Sequence, residues 1–329
     1  MSISSHSFAN RSPMTHSFLA PLCAAATLGA LLLVPAAAQM HSLSREQMIK
    51  YTQQNPFERF PDGRPKVPDA LLEKLRGMSA EEVLSIVRKG YANQYADGFQ
   101  VLNPGKNLVG RAMTLQLMPL RPDVGDVDQK DWRDKHNGAR LSHQTALDML
   151  QKGDVFVADA FGNLKAGGVV GDNLAYYIWK TTGMGFVIDG AIRDLNGIAP
   201  VGMGGYFRGA VPEAIREVMV AGINVPVRIG NVTVLPGDVV LGDREGVYFI
   251  PPHLVQDIVD EAEITHAHDV WTKIKFDEGK YKSSEIYGRP SDPALIKEYE
   301  TYLKQHVEPR IWQRYQNRNQ APAGPQRKK

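Results

Sequence analysis

Between residues 91 and 262 the apolar positions of this chain fall into short runs separated by Gly, Asn and Asp, a pattern of strands and tight turns. "VGRAMTLQLMP" (109–119) alternates enough to predict a strand, and "DVFVADA" (154–160) and "FVIDG" (186–190) predict buried strands. "VPVRIG", "VTVLPG", "DVVLGD" and "GVYFIP" predict four short strands of one compact sheet. Helical spacing takes over in "SHQTALDMLQKG", with Ser142 as N-cap, in "DNLAYYIWKTTG" and in "HLVQDIVDEAEITHAHDVWTKI". Residues 120–140 are charged and aperiodic and predict a surface insertion. Upstream, the proline-punctuated "QQNPFERFPDGRPKVPDA" leads into two predicted helices, "ALLEKLRGM" and "SAEEVLSIVRKG", the second opened by a capping box of Ser79 and Glu82. Downstream, "DPALIKEYETYLKQH" predicts a helix, and the polar "QNRNQAPAGPQRKK" holds no apolar anchor and predicts a disordered tail. The chain therefore divides into a helical N-terminal extension (39–90), an α/β region (91–262), C-terminal helices (263–315) and a tail (316–329), with no repeat at a solenoid period.

The first 38 residues belong to a different kind of pattern. Leu19 to Val34 is an apolar run, Ala36-Ala37-Ala38 supplies small residues, Arg11 is the one basic residue before them, and no acid precedes Glu46. This predicts a secretory signal at 1–38, cleaved after Ala38, and export to the periplasm becomes the expectation. The run is shorter than the roughly 20 residues a membrane span needs and contains Pro21, so no span is expected in the mature chain. Cys23, the single cysteine, leaves with the signal, which excludes a disulfide framework, thiolate zinc and a cysteine nucleophile. With Arg11 removed, 37 basic residues face 36 acidic ones, and nothing in that balance asks for nucleic acid or an anionic membrane.

The stretch from 168 to 194, "GVVGDNLAYYIWKTTGMGFVIDGAIRD", carries the chemistry. A helix of about eleven residues runs out for roughly 16 Å, and the strand after it returns over roughly 15 Å. Asp172 and the pair Arg193-Asp194 thus finish together at the carboxyl ends of two parallel strands, where open α/β sheets place their ligands. Gly167, Gly168 and Gly171 let the backbone fold closely before the helix, and the amides near Asn173 suit a carboxylate or phosphate. Arg193 offers a planar fork for a carboxylate or enolate. Asp172 and Asp194 are hard oxygen ligands, too few to cage calcium, and they suit Mg²⁺ or Mn²⁺ that keeps its waters. Taken alone, an Arg-Asp dipeptide is usually a surface ion pair, and Gly-rich turns bind many anions or none. The combination points to a site that stabilises an enolate beside a carboxylate.

At this point the sequence resembles the RraA-like family. "VGRAMTLQLMP", "GDVFVADA", "GDNLA", "GFVIDGAIRD" and "NVPVRIGNVTVLPGDVVLGDREGVYFIP" carry the likeness over roughly 91–262, and Asp172, twenty residues, Arg193-Asp194 meets the family's metal-site pattern. The resemblance implies a compact α/β domain with a central β-sandwich-like sheet, assembled as a homotrimer with sites at subunit contacts. It implies a class II type aldolase, a divalent-metal-dependent lyase that cleaves a pyruvate-derived 2-oxo acid such as 4-hydroxy-4-methyl-2-oxoglutarate and also decarboxylates oxaloacetate. Asp194 would ligate the metal, Asp172 would hold it through water, Arg193 would bind the pyruvate or enolate oxygens, and amides from Gly168 through Gly171 to Asn173 would take the substrate carboxylate. The family also uses a carboxylate from near the C-terminus of the neighbouring subunit for proton handling, for which Glu278 and Glu285 are the candidates. The alternative the resemblance offers is a non-catalytic binding or regulatory protein.

Four further features are read conservatively. His266 and His268 lie at i and i+2 of a predicted helix, do not share a face, and are not expected to form a metal pair. Gly242 to Gly246 reads as a turn between strands, Tyr176, Tyr177 and Trp179 as core or subunit contact, and Asp189 as a cap or a support for the site.

Overall fold

The structure, a computed structural model, describes residues 42–320. The expected signal with its cleavage point at Ala38, and residues 321–329 of the tail, lie outside the described residues.

The framework is a nine-stranded mixed sheet in the order β1-β11-β10-β3-β4-β5-β6-β2, with β7 paired to β3 beside β10. Its centre is four parallel strands: β3 (Leu108–Pro119), β4 (Asp154–Asp159), β5 (Phe186–Ile192) and β6 (Gly205–Ala210). β10 (Val239–Gly242) and β11 (Val247–Ile250) form an antiparallel hairpin on one side, with the short β1 (Tyr95–Ala96) beyond them. β2 (Gln100–Val101) closes the other side against β6. Twelve residues make β3 long enough to pair β10 along its start and β7 (Val218–Ile223) along its end, with a bulge between Gln116 and Leu117. A separate ribbon, β8 (Val227–Ile229) with β9 (Val232–Val234), supplies a second β layer, so the four short strands expected in one compact sheet divide between two.

The parallel strands are buried on both faces because each face has its own cover. Phe156 and Ala158 of β4 and Phe186 and Ile188 of β5 pack with Ala175 and Ile178 of α6 (Asp172–Thr182) and Leu147 of α5 (His143–Leu147). The alternate residues Val155, Val157 and Val187 pack against Val227, Ile229, Val232 and Val234 of the ribbon. That second layer is the sandwich-like element that the family resemblance implies.

α1 (Arg45–Tyr51), α2 (Asp69–Arg76) and the one-turn α3 (Ser85–Arg88) form the N-terminal helical region. Leu72, Leu75, Val83 and Ile86 there share a core with β10, β11 and the first half of α8 (Val255–Asp277). Within the predicted helix 79–90, Ser79 and Glu82 exchange the expected reciprocal bonds, Glu82 N–H to Ser79 Oγ at 3.3 Å and Ser79 N–H to Glu82 Oε2 at 2.7 Å. They close a turn there, and only 85–88 are helical. Arg64, fully buried, ties this region to the start of β4 through Asp154 at 3.2 Å. Burial of the Asp154 carboxyl pushes its pKa up, and Arg64 offsets only part of that shift.

Three expectations need correction. Residues 120–140 are not an irregular insertion, because Pro122–Lys135 form α4. Its face is mostly polar, so apolar periodicity could not reveal it. Pro122 at the first position, Asp123 in the first turn, Arg133 and Lys135 in the last, and a Lys130–Asp134 pair at 2.5 Å support it instead. The boundary at 262 falls inside α8, whose Ile258, Val259 and Ala262 face one core while Ala267 and Trp271 enter a second. That second core joins α9 (Ser283–Ile286), α10 (Pro293–His306) and α11 (Pro309–Gln320), so the predicted tail is helical as far as residue 320. No helix of the described residues is long and apolar enough to cross a membrane.

Candidate active site

Strand β4 leads into a loop, α6 runs back across the sheet, and β5 returns parallel to β4 with Asp159 opposite Asp189 in register. α6 buries Ala175, Ile178 and Thr182 on one stripe and stops at Gly183, whose N–H bonds the Trp179 carbonyl at 2.7 Å. Asp172 therefore opens the helix at the same end of the sheet at which Ile192 closes β5, and Arg193-Asp194 follow directly.

The loop before α6 is stitched to both neighbours. Val169 N–H bonds Ala191 O and Arg193 N–H bonds Val170 O, both at 2.9 Å. On the other side Gly168 N–H bonds Glu213 O at 2.9 Å, and Ile215 N–H bonds Gly168 O at 3.1 Å. Gly167 has φ +87°, and a Cβ there would stand 2.3 Å from the Ala214 carbonyl oxygen, so only glycine lets the loop lie this close. Segment 213–215 was not foreseen from sequence, since a two- or three-residue backbone bridge leaves no side-chain signal.

At the centre, a Cβ on Gly171 would lie 2.4 Å from Asp194 Oδ2 and 3.0 Å from Arg193 Nε. A Cβ on Gly197 would lie 3.0 Å from Asp172 Oδ2. The two glycines keep open the space beside both carboxylates and the guanidinium. Arg193 Nη1 stands 3.2 Å from Asp194 Oδ2, and both side chains are about one-third exposed (39% and 33%). The pair thus faces solvent and is available to a ligand. Asp194 has φ +60°, left-handed backbone that a non-glycine residue adopts at a cost, and Asp and Asn tolerate it best. Gly197 and Ile198 N–H groups bond the Asp194 carbonyl at 2.9 and 3.1 Å and hold that turn.

Several expected contacts differ. The Asn173 amide is given to Asp172 Oδ1 at 2.7 Å and the Gly168 amide to Glu213, so neither is free. The amides left at the start of α6 are those of Gly171, Asp172 and Leu174, for which no acceptor occurs among the described residues. Asp189 supports the other face of the sheet, accepting from Arg208 Nε at 2.6 Å and Gly230 N–H at 3.0 Å. Glu278 pairs with Lys275, which holds its carboxyl below the usual range, and Glu285 accepts from Lys282 N–H at 2.7 Å. Within one chain neither is brought to Arg193. His266 pairs with Glu82 at 2.7 Å and His268 with the Tyr287 carbonyl at 2.9 Å, on separate partners. Asp243–Gly246 is the β10–β11 turn, with Asp243 N–H on Gly246 O at 3.0 Å. Tyr176 and Tyr177 are exposed and not core, whereas Trp179 packs against it.

Gly171→Ala tests how much the open space matters. Gly171 has ordinary extended backbone, φ −112°, so alanine adds no strain of its own, only the clash. Activity at the site is expected to fall by about 10²-fold, the scale of an ångström-sized misplacement, with a melting temperature close to the parent's. The check is steady-state kinetics beside thermal unfolding.

Residues 69–249 match the family model described as RraA-like: Aldolase/RraA. A protein of Halalkalibacterium halodurans, provisionally named a 4-hydroxy-4-methyl-2-oxoglutarate aldolase, is 31% identical over 169 residues, 51% of this chain and 71% of its own. The Thermus thermophilus protein named 4-hydroxy-4-methyl-2-oxoglutarate aldolase is 31% identical over 99 residues, 30% of this chain and 60% of its own. Among solved structures, Streptomyces coelicolor RraAS2, described as an unusual member of the RNase ES inhibitor RraA protein family, superposes with a TM-score of 0.55 at 29% identity. That match covers 65% of this chain and all of the other.

Proposed function

The chain belongs to the RraA-like family, and from that membership we propose that it is a divalent-metal-dependent carbon–carbon lyase acting on a pyruvate-derived 2-oxo acid. The substrate class is that of 4-hydroxy-4-methyl-2-oxoglutarate, with oxaloacetate decarboxylation as a related reaction. The observation that carries the reading is the convergence of Gly171, Arg193 and Asp194, with Asp172 beside Gly197, at the carboxyl ends of the parallel strands.

The donor set fits a hard cation. Among the described residues no group of three or more His, Cys, Asp or Glu converges to cage a metal. Two carboxylates beside space that a Cβ would fill suit Mg²⁺ or Mn²⁺, which are held by one or two carboxylates and retain waters. Asp194 would hold the ion directly and Asp172 through water. When bound, such an ion supplies Lewis-acid polarisation of the 2-oxo group.

The chain's own groups do the rest. The Arg193 fork holds the 2-oxo acid's oxygens, and the Gly171 and Asp172 amides at the positive end of α6 take its carboxylate. As the C3–C4 bond breaks, its electron pair moves onto the pyruvate fragment and negative charge grows on the 2-oxo oxygen. The Arg193 guanidinium is then worth more than in the ground state. The alcohol proton leaves C4–OH, a carbonyl forms there, and a proton returned to C3 completes the second pyruvate. Assembly as a homotrimer and export to the periplasm belong to the same reading. For export, N-terminal sequencing of the mature protein is expected to start at Gln39, and a cytosolic protein beginning at Met1 would contradict it.

The test is pyruvate release from 4-hydroxy-4-methyl-2-oxoglutarate with Mg²⁺ present or chelated. Two pyruvates per substrate, lost with chelator, are expected. No release with added metal would favour a non-catalytic binding or regulatory role.

A further inference from the structure

A second pocket lies away from the Arg193 site, where the end of α1 meets the β9–β10 turn and the one-turn 3₁₀ helix Pro252–Leu254. Its volume is about 340 Å³, and its walls include Tyr51, Thr52, Tyr91, Gln94, Asp238 and His253. No lysine or arginine lines it. One of its lining residues carries a buried charge. Asp238 is buried, and its carboxylate accepts one hydrogen bond, from Leu235 N–H at 2.8 Å.

Two arginines on neighbouring segments are occupied elsewhere. Arg59 gives its guanidinium to the Thr52 hydroxyl and carbonyl, both at 2.7 Å, and to Gly63 O at 2.8 Å. Arg111, in register with Val239, bonds the Val67 carbonyl and Asp69. His253 lies 3.2 Å from the Tyr91 hydroxyl, and burial lowers its pKa, which disfavours its charged form. Burial raises the Asp238 pKa to about 7, opposed only by the Leu235 amide. A carboxylate this dehydrated, without a cationic neighbour, has an unmet demand for positive charge. One carboxylate cannot cage a metal ion, whereas two tyrosines and an imidazole offer faces that attract an organic cation.

We propose that this pocket binds a small organic ammonium ion, with the Asp238 carboxylate as counter-ion and the Tyr51, Tyr91 and His253 rings as walls. The site is independent of the lyase reading. Its volume lies at the small end of ligand pockets, which limits the guest to a compact amine.

Calorimetric titration of the full mature chain with tetramethylammonium chloride, against sodium chloride at equal ionic strength, is the test. The probe keeps its charge at every pH, so the pH dependence comes from the pocket itself: as pH falls Asp238 loses its charge and His253 gains one, and both changes weaken binding. Below the pKa, affinity falls as the carboxyl protonates, and binding at pH 5.5 is expected to be about thirtyfold weaker than at pH 8. Asp238→Asn keeps an oxygen for the Leu235 amide and removes the charge, and is expected to weaken binding at least tenfold, to the extent a desolvated ion pair contributes. Tyr51 is 58% exposed at the rim, so Tyr51→Ala leaves folding intact and is expected to weaken binding by about two- to fivefold. Butylammonium as a second probe distinguishes a primary amine from a quaternary guest, and tighter binding of either supports the proposal. No saturable heat from either cation at pH 8, or equal affinity at pH 5.5 and 8, would overturn it. Should Asp238→Asn fail to fold, the pH profile and Tyr51→Ala decide.

Discussion

Arg193→Lys is expected to lower lyase turnover by about 10²–10³, the loss typical of one preorganised oxyanion donor, roughly 3–4 kcal/mol. Lysine keeps the charge and loses the planar fork, so the second, parallel contact to a carboxylate or enolate is gone. The effect should fall on kcat more than on KM, because the fork is needed most as negative charge develops on the 2-oxo oxygen. Folding should be unaffected, since Arg193 is 39% exposed and follows the last residue of β5. Metal affinity should persist because both carboxylates remain. Steady-state kinetics with a parallel Mn²⁺ titration reads both, and turnover within a factor of about two of the parent would reduce Arg193 to the ion-pair partner of Asp194.

Asp194→Asn is expected to remove metal affinity and activity together. Asparagine is the cleaner replacement, because it accepts the left-handed backbone at φ +60° and keeps the size of the side chain. Asp194→Ala would add a conformational cost of about 1 kcal/mol or more to the lost ligand and blur the two effects. If Asp172 holds the metal through water as proposed, Asp172→Ala is expected to weaken metal binding by about 10- to 100-fold. Isothermal calorimetry with Mn²⁺ on the three proteins orders them, and unchanged affinity in Asp194→Asn would remove Asp194 from the site.

The meeting of Asp172 with Arg193-Asp194 was legible because its logic is one of period and length. Eleven helical residues from Asp172 and a buried strand ending at Ile192 must bring their ends together, and β4 and β5 do run parallel with α6 between them. The alternation of Phe156 and Ala158 against Val155 and Val157 likewise shows both faces of a covered strand. Backbone partners were not legible. The Asn173 and Gly168 amides looked open in sequence, yet Asp172 and Glu213 take them, and only coordinates assign a carbonyl 45 residues away. α4 escaped because a helix that is polar on most of its surface lacks an apolar stripe, and its caps and charge pairs are weak signals singly. β6 and β7, "GYFRGA" and "VMVAGI", are short runs that periodicity does not separate from loop or helix.

The most direct measurement is pyruvate release from oxaloacetate by the chelator-treated protein, titrated back with Mg²⁺, with Asp194→Asn carried alongside to subtract decarboxylation by free metal. A rate that returns with Mg²⁺ in the parent and stays at background in Asp194→Asn is the predicted result. Equal rates in the two proteins at every Mg²⁺ concentration would contradict a metal-dependent lyase centred on Arg193 and Asp194.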